Sequence, residues 1–221
     1  MSKAKVSICV PSLETWKART AVCHGELSVF STVMNTAVKT VGHQCSIISM
    51  SRNWLVRYSL AFDPPCTHIL WIDSDMVFPP NGLERLLAHD KDVVGAFYNK
   101  RTPPYTTVGH LLGDGNITGG GIYQADIMPH GFVLVKRSVY ERLSPPWYNE
   151  SYDPELAGEG DPDGTVGEDV NFSRKAIAGG IEMYCDADLT CEMGHLGEIV
   201  VRCLSPDGSK NPADPETVEQ K

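Results

Sequence analysis

The sequence predicts an α/β fold with a mainly parallel central sheet flanked by helices and a mixed second half. Two observations support this prediction. In residues 5–97, short apolar runs alternate with segments whose apolar residues recur at helical spacing. Such β-α-β-α alternation favours a layered, mainly parallel sheet with helices outside it. Beyond residue 104, short strand-like pieces broken by glycines replace the regular alternation.

The first half is expected to contain four strands and three helices. In the first predicted helix, Val22 and Val33 fall on one face, and Gly42 marks the end. Ser51 is expected to cap the second helix, which the Asp-Pro-Pro run at 63–65 stops. The strands are predicted at 5–10, 44–50, 69–72 and 92–97, and the helices at 21–41, 51–62 and 82–89.

The second half mixes short strands with two helices. Residues 148–167 are rich in Asp, Glu, Gly and Pro with little to bury, which predicts a mobile loop, either a lid or surface padding. Residues 1–204 are expected to form a single domain, and 205–221 a disordered tail. Strand-like pieces are predicted at 105–112 and 117–126, strands at 132–136, 181–185 and near 198–203, and helices at 137–143 and 168–178.

Composition excludes several classes of protein. The net charge of −9 disfavours nonspecific adhesion to nucleic acid or to anionic membranes. No apolar stretch approaches the roughly 20 residues that cross a bilayer. The N-terminus enters a strand pattern at once, so we expect no signal peptide, no membrane partner and a cytoplasmic location. The seven cysteines are odd in number and form no Cys-x-x-Cys pair, which argues against a disulfide framework and a zinc site.

The most informative motif is Asp73-Ser74-Asp75, which directly follows the apolar run 69–72. That run predicts a strand buried on both faces. In open α/β sheets, ligands bind beyond the carboxyl ends of the strands. Two acids at that place can hold a hard divalent cation through oxygen, and the cation can neutralise a diphosphate. The alternative is a capped turn whose acids face water.

Several blocks occur in an order that resembles known enzymes. Together they resemble the nucleotide-sugar-dependent glycosyltransferases of the GT-A fold, especially family-2 enzymes and small phage-encoded relatives. The blocks are 6–12, 51–55, 73–75, 131–137, 167–172 and 194–197.

The resemblance implies a metal site. Asp75 would bind Mn²⁺ or Mg²⁺ directly, Asp73 directly or through water and ribose, and His195 as the late histidine of such enzymes. Mixed carboxylate and imidazole ligation suits manganese better than a site made only of oxygen. The alternative for His195 is a structural histidine in a tight turn between Gly194 and Gly197.

The resemblance also implies donor-binding residues, among them Ser74 of the acidic motif. Pro11 and Ser12 would border the nucleobase or ribose. Arg52 and Asn53 would line the donor site, with the arginine holding phosphate through a forked contact or, alternatively, lying solvated on a helix face.

In the same way, Gly131 would let the backbone approach the donor sugar, beside a His130 that is expected to be structural. Asp169 would be the general base that removes the acceptor proton, and Glu168 is the runner-up for that role. The alternative for this acidic pair is helix capping, because acids are favoured at the start of a helix.

The function implied is metal-dependent, inverting transfer of a sugar from a nucleotide sugar, expected to be a UDP-sugar, to an acceptor hydroxyl. The donor half would span about 1–100 and the acceptor and catalytic half about 101–204. The acceptor is left open among a hydroxymethylated pyrimidine in phage-type DNA, a glycan, a protein and a small molecule; a phage enzyme would act in the host cytoplasm. Two alternatives remain: a catalytically silent nucleotide- or sugar-binding module, and a sugar-phosphate nucleotidyltransferase.

Overall fold

The structure, a computed structural model, describes residues 4–13, 15–113, 115–155, 164–197 and 200–202. The first half alternates strands and helices. Its elements are β1 (Lys5–Ser12), α1 (Ala18–Val33), β2 (Ala37–Gln44), α2 (Ile48–Leu60), β3 (His68–Ile72), β4 (Met76–Val77), α3 (Gly82–Ala88) and β5 (Val93–Gly95).

The second half contains shorter strands and three helices within the described ranges. Its elements are β6 (Tyr98–Asn99), β7 (Thr107–Val108), β8 (His110–Leu111), β9 (Ile122–Ile127), β10 (Phe132–Lys136), α4 (Arg137–Arg142), β11 (Ser151–Tyr152), β12 (Thr165–Val166), α5 (Glu168–Ala178), β13 (Met183–Asp186), α6 (Ala187–Thr190), β14 (Gly194–Leu196) and β15 (Val200–Arg202).

The large central sheet has the strand order β2-β1-β3-β10-β5-β13-β9-β8. β1 pairs in parallel with β2 and β3, and β5 pairs in parallel with β13. β10 and β9 run against their neighbours, so the sheet is mostly rather than wholly parallel. This mostly parallel sheet between helical layers confirms the predicted α/β, GT-A-like fold class.

The core lies on both faces of this sheet. Ile69 and Trp71 of β3 face the cluster that packs under α2 and α5, whereas Leu70 and Ile72 face the cluster under α1 and α3. All four side chains are fully buried, which confirms that the strand before the acidic motif is covered on both faces. Burial of side chains of this size stabilises the fold by about 1.5–3 kcal/mol each. The position of β3, and of the acids that follow it, is therefore well fixed.

The predicted boundary between the first helix and the second strand is wrong. α1 ends at Val33 instead of residue 41, because Asn35 adopts a left-handed conformation with φ 66°. β2 then spans Ala37–Gln44, and the predicted strand 44–50 instead enters α2, which begins at Ile48. Ser51 therefore lies inside α2, where its hydroxyl donates to the carbonyl of His43 across 3.2 Å instead of capping the helix.

The segment 148–167 has more buried surface than its composition predicts. Tyr148 is 1% exposed and Ser151–Tyr152 pairs with Thr165–Val166, so both described ends are ordered. Residues 156–163 and the predicted tail 205–221 lie outside the described residues. Among the helices that are described, none is both long and apolar enough to cross a membrane. Six cysteines within these ranges are free thiols, and four of them are buried.

Candidate active site

A cleft of about 650 Å³ opens beyond the carboxyl ends of β1 and β3. It brings together six of the residues that the sequence singled out, in the place where α/β sheets bind ligands. The cleft is lined by Pro11, Ser12, Leu13, Thr15, Lys17, Cys45, Ser46, Ile48, Ser51, Asp73, Ser74, Asp75, Arg101 and His195.

Two backbone contacts fix the walls of the cleft. The amide of Cys45 donates to the carbonyl of Ser12 across 3.1 Å, which joins the loops after β1 and β2. The amide of Lys17, just before α1, donates to the carbonyl of Ser74 across 2.9 Å. The acidic motif is therefore held against the N-terminal end of α1, and Lys17 lines the cleft.

His195 reaches Asp75 because β14 pairs with β4, which places His195 opposite Met76. The amide of Leu196 also donates to the carbonyl of Asp75 across 2.8 Å. The imidazole Nε2 lies 3.4 Å from Asp75 Oδ2, and Nδ1 lies 3.0 Å from the carbonyl of Asn99. A proton on Nδ1 donates to that carbonyl and leaves Nε2 facing the carboxylate, the arrangement typical of a metal-binding histidine.

Arg101 shares this corner of the cleft, with Nη1 2.5 Å from Asp75 Oδ2. Burial lowers the pKa of His195, but the hydrogen bond and the charge of Asp75 outweigh it, and the pKa is raised overall. Burial raises the pKa of Asp75. The hydrogen bond and charge of His195, and the charge of Arg101, outweigh burial and hold the pKa of Asp75 below its usual value. Asp75 is therefore an ionised carboxylate in contact with the Arg101 guanidinium and the His195 imidazole.

The candidate metal ligands fit a divalent cation in part. Asp75 and His195 offer one carboxylate and one imidazole at a shared point, which suits manganese. Within the described ranges, no three His, Cys, Asp or Glu side chains form a complete metal cage. The predicted third ligand, Asp73, instead accepts a hydrogen bond from Arg52. Magnesium bound beside phosphates commonly takes only one or two carboxylates and leaves the rest of its shell to phosphate and water, so a site of this open kind does not require a complete protein cage.

Arg52 is the centre of a buried ion network. Its Nη2 lies 2.9 Å from Asp73 Oδ1, and its Nε lies 2.9 Å from Glu168 Oε1. The side chain is 2% exposed, and its guanidinium carbon lies 5.1 Å from the ring centroid of Trp71 and 5.9 Å from that of Tyr148. The forked contact that the sequence suggested for phosphate is thus made to two carboxylates of the protein.

This network sets the charge of Asp73. Burial raises the pKa of Asp73 to about 6, and the charges of Asp75 and Glu168 act in the same direction, while Arg52 opposes them. Without Arg52, the carboxyl would lose the cation that favours its ionised form. Arg52 therefore holds the acidic motif from the protein interior, and it does not line the cleft.

Asn53 is likewise occupied by the protein. Its Oδ1 accepts hydrogen bonds from the amides of Trp147 and Tyr148, at 2.9 and 3.3 Å. Its Nδ2 donates to the carbonyls of Tyr148 and Ser49, at 2.6 and 2.8 Å. Asn53 thus fixes the segment 147–148 against α2, and its contact with the donor stays a prediction.

The two acids of the third block differ in their surroundings. They are the first two residues of α5 and follow Gly167, which has no side chain that could cap the helix. Glu168 is bound to Arg52, whereas Asp169 Oδ1 accepts a hydrogen bond from the neighbouring amide of Val170, at 2.8 Å. Burial, and then the charge of Glu168, raise the pKa of Asp169, which is the direction that strengthens a base.

Gly131 leaves room for the aromatic ring of Tyr98, a residue that the sequence did not single out. A Cβ at Gly131 would lie 2.6 Å from Cε1 of Tyr98, a distance that no side chain tolerates. The carbonyl of Gly131 accepts a hydrogen bond from the amide of Asp73 at 3.0 Å, so the glycine lies directly behind the acidic motif. Its neighbour His130 is fully buried, with Nδ1 2.9 Å from the carbonyl of Met128, as expected of a structural histidine.

Comparisons with known proteins bear on the fold. No protein-family model matches this chain, and no curated protein sequence matches it. Among solved structures, A197 from STIV is similar over 93% of this chain and 92% of its own, with a TM-score of 0.58 and 17% identity. A glycosyltransferase involved in the glycosylation of the major capsid of PBCV-1 covers 71% of this chain and 76% of its own, with a TM-score of 0.38 and 12% identity. The likeness to A197 shows a shared fold.

Proposed function

We propose that this protein is a metal-dependent glycosyltransferase, which moves a sugar from a nucleoside-diphosphate sugar to an acceptor hydroxyl. The observation that carries the proposal is the convergence of Asp73, Asp75 and His195 on one cleft beyond the end of β3. The GT-A-like fold supports it, because ligands of such sheets bind at this edge. The donor we propose is a UDP-sugar, with Pro11 and Ser12 bordering its nucleobase or ribose.

The cation would be held by Asp75 and His195, and it would supply positive charge to the departing diphosphate. Lys17 and Arg101 line the same cleft and can neutralise the remaining phosphate charge. Because Arg101 already contacts Asp75, it has to change partners when a cation or a diphosphate enters. Asp73, held by Arg52, is left with one oxygen for ribose or for a metal-bound water.

Asp169 is the general base in this proposal. As the acceptor oxygen attacks the anomeric carbon, the bond from that carbon to the diphosphate oxygen breaks, and the acceptor proton moves to the Asp169 carboxylate. Glu168 is a weaker candidate because its oxygen already accepts a hydrogen bond from Arg52. Attack from the face opposite the leaving diphosphate would invert the anomeric configuration.

Mass spectrometry of reaction mixtures tests the proposal. The protein is incubated with Mn²⁺, a panel of UDP- and GDP-sugars, and acceptors that include hydroxymethylcytosine DNA, glycans, peptides and small alcohols. A hexose or amino-sugar mass added to one acceptor is the expected result. Pyrophosphate released from a nucleoside triphosphate and a sugar phosphate would instead identify a nucleotidyltransferase, and nucleotide-sugar binding without turnover would identify a silent binding module.

A further inference from the structure

Tyr98 lies where the candidate metal ligands meet the acidic pair of α5. Its ring is 6% exposed and packs against Gly131, where a Cβ would be 2.8 Å from the phenolic oxygen. The same ring stands edge-on to His195, with 5.2 Å between the ring centroids. Gly131 accepts a hydrogen bond from the amide of Asp73 at 3.0 Å, so the phenol lies beside the acidic motif as well as beside His195, and the charges of Asp73 and Asp169 both act on its hydroxyl.

The Tyr98 hydroxyl is unusual among the buried tyrosines. Tyr140 and Tyr148 share a hydrogen bond of 2.8 Å, and Tyr140 also accepts one from Trp71 at 2.7 Å. For Tyr98, the described part of the chain offers its hydroxyl no hydrogen-bond partner. Among the described residues, this oxygen is not one of the fully enclosed polar atoms that lack a partner, so it is open to solvent although its ring is buried. A tyrosine with an apolar, buried body and an accessible hydroxyl can bond to a group outside the protein, and an oxygen of a ligand can take the place of water here.

The position of Tyr98 fits one part of the donor. In the proposed reaction the diphosphate lies at Asp75 and His195, and the acceptor lies at Asp169. The sugar that moves must therefore lie between them, beside Tyr98. Sugar hydroxyl oxygens accept hydrogen bonds, and a phenol is a donor at neutral pH.

We propose that Tyr98 binds the transferred sugar, with its hydroxyl donating a hydrogen bond to a sugar oxygen, and that Gly131 is a glycine because this ring must lie there. The proposal rests on the proposed glycosyltransferase function. A purely structural Tyr98 would need its ring but not its hydroxyl. Tyr98→Phe separates the two roles, because it keeps the ring against Gly131 and His195 and removes only the oxygen.

Calorimetry with Mn²⁺ provides the test. Wild type, Tyr98→Phe and the control Tyr152→Phe, whose side chain is 67% exposed, are titrated with UDP and with the UDP-sugar that wild type cleaves from a panel of UDP-glucose, UDP-galactose and UDP-N-acetylglucosamine. Tyr98→Phe is expected to bind UDP like wild type but to bind the UDP-sugar roughly tenfold more weakly. The control is expected to match wild type for both ligands.

The possible results separate the two proposals. Equal affinities of Tyr98→Phe and wild type for the UDP-sugar overturn the role of Tyr98 and leave the glycosyltransferase function intact. A loss of UDP and UDP-sugar binding in equal measure also overturns it, because the residue then acts on the whole site. If wild type binds neither UDP nor any UDP-sugar of the panel, the proposed function itself fails, and the role of Tyr98 fails with it.

Discussion

Arg52 donates a hydrogen bond from Nη2 to Asp73 Oδ1 across 2.9 Å, from a position where only 2% of its side chain is exposed. The same guanidinium holds Glu168 through Nε. One buried arginine thus connects the acidic motif after β3 with the acids that open α5. The catalytic geometry we propose depends on this connection, because it fixes two elements that are distant in sequence.

Removing Arg52 is expected to destabilise the protein. Arg52→Ala leaves Asp73 and Glu168 largely buried without their cation, and breaking such a pair lowers the free energy of unfolding by about 3–5 kcal/mol. The matched control is Arg57→Ala on the exposed face of the same helix, for which a change within about 0.5 kcal/mol is expected. Urea denaturation measures both variants, and similar small losses for the two would show that the network carries little stability.

Removing His195 is expected to weaken binding of manganese. If Nε2 is a ligand, His195→Ala lowers Mn²⁺ affinity by roughly tenfold or more. Asp75→Ala is expected to abolish Mn²⁺-dependent donor binding, because it removes the charged ligand. Titration followed by the electron paramagnetic resonance signal of free Mn²⁺, in the presence of UDP, measures both. His110→Ala, on a strand at the far edge of the sheet, is the control. A His195 variant with an unchanged titration curve returns this residue to a structural role.

Asp169→Asn is expected to reduce transfer by roughly 100-fold or more while donor and metal binding persist. The amide keeps the shape and the oxygen that accepts from the amide of Val170 but cannot take the acceptor proton. Glu168→Gln is the matched comparison, and steady-state transfer rates measure both. Near wild-type transfer by Asp169→Asn together with failure of Glu168→Gln would make Glu168 the base, and full activity of both variants would remove this block from catalysis.

The rate of transfer is expected to fall on the acid side at a pH above the ordinary aspartate value of 3.8, because burial, and then the charge of Glu168, raise the pKa of Asp169 and only its ionised form accepts a proton. The free energy of unfolding is expected to change with pH in the opposite direction to the rate. A carboxyl group whose pKa is raised by folding stabilises the protein at a pH below its pKa in the unfolded chain, and this contribution is lost as the pH rises through its pKa in the folded protein. Profiles of kcat/KM and of the unfolding free energy against pH measure the two trends, and an acid limb at or below pH 3.8 would contradict the assignment.

Local patterns account for the parts of the site that the sequence predicted. The apolar run of β3 and the acids after it are contiguous, so burial and position both follow from a few residues. The first helix boundary failed because Val33 and Val41 keep helical spacing, although Asn35 turns the chain between them. A single residue with positive φ overrode the periodicity of the apolar residues.

Contacts between distant segments could not be predicted in this way. For Arg52 and Asn53, which are predicted to line the donor site, the structure adds partners that the sequence did not indicate, namely Asp73, Glu168 and the backbone of 147–148. Nothing local to α2 indicates those partners, because they depend on how α2 packs against β3 and α5. The packing of Tyr98 against Gly131 could not be predicted for the same reason.

The most direct test of the central claim is the release of nucleoside diphosphate from nucleotide sugars, measured for wild type and Asp75→Ala with and without Mn²⁺. Wild type is expected to release UDP from at least one UDP-sugar when Mn²⁺ is present, and Asp75→Ala is expected to release none. Equal release by the two proteins, or no release by wild type from any donor, would contradict the proposal that this cleft is the active site of a metal-dependent glycosyltransferase.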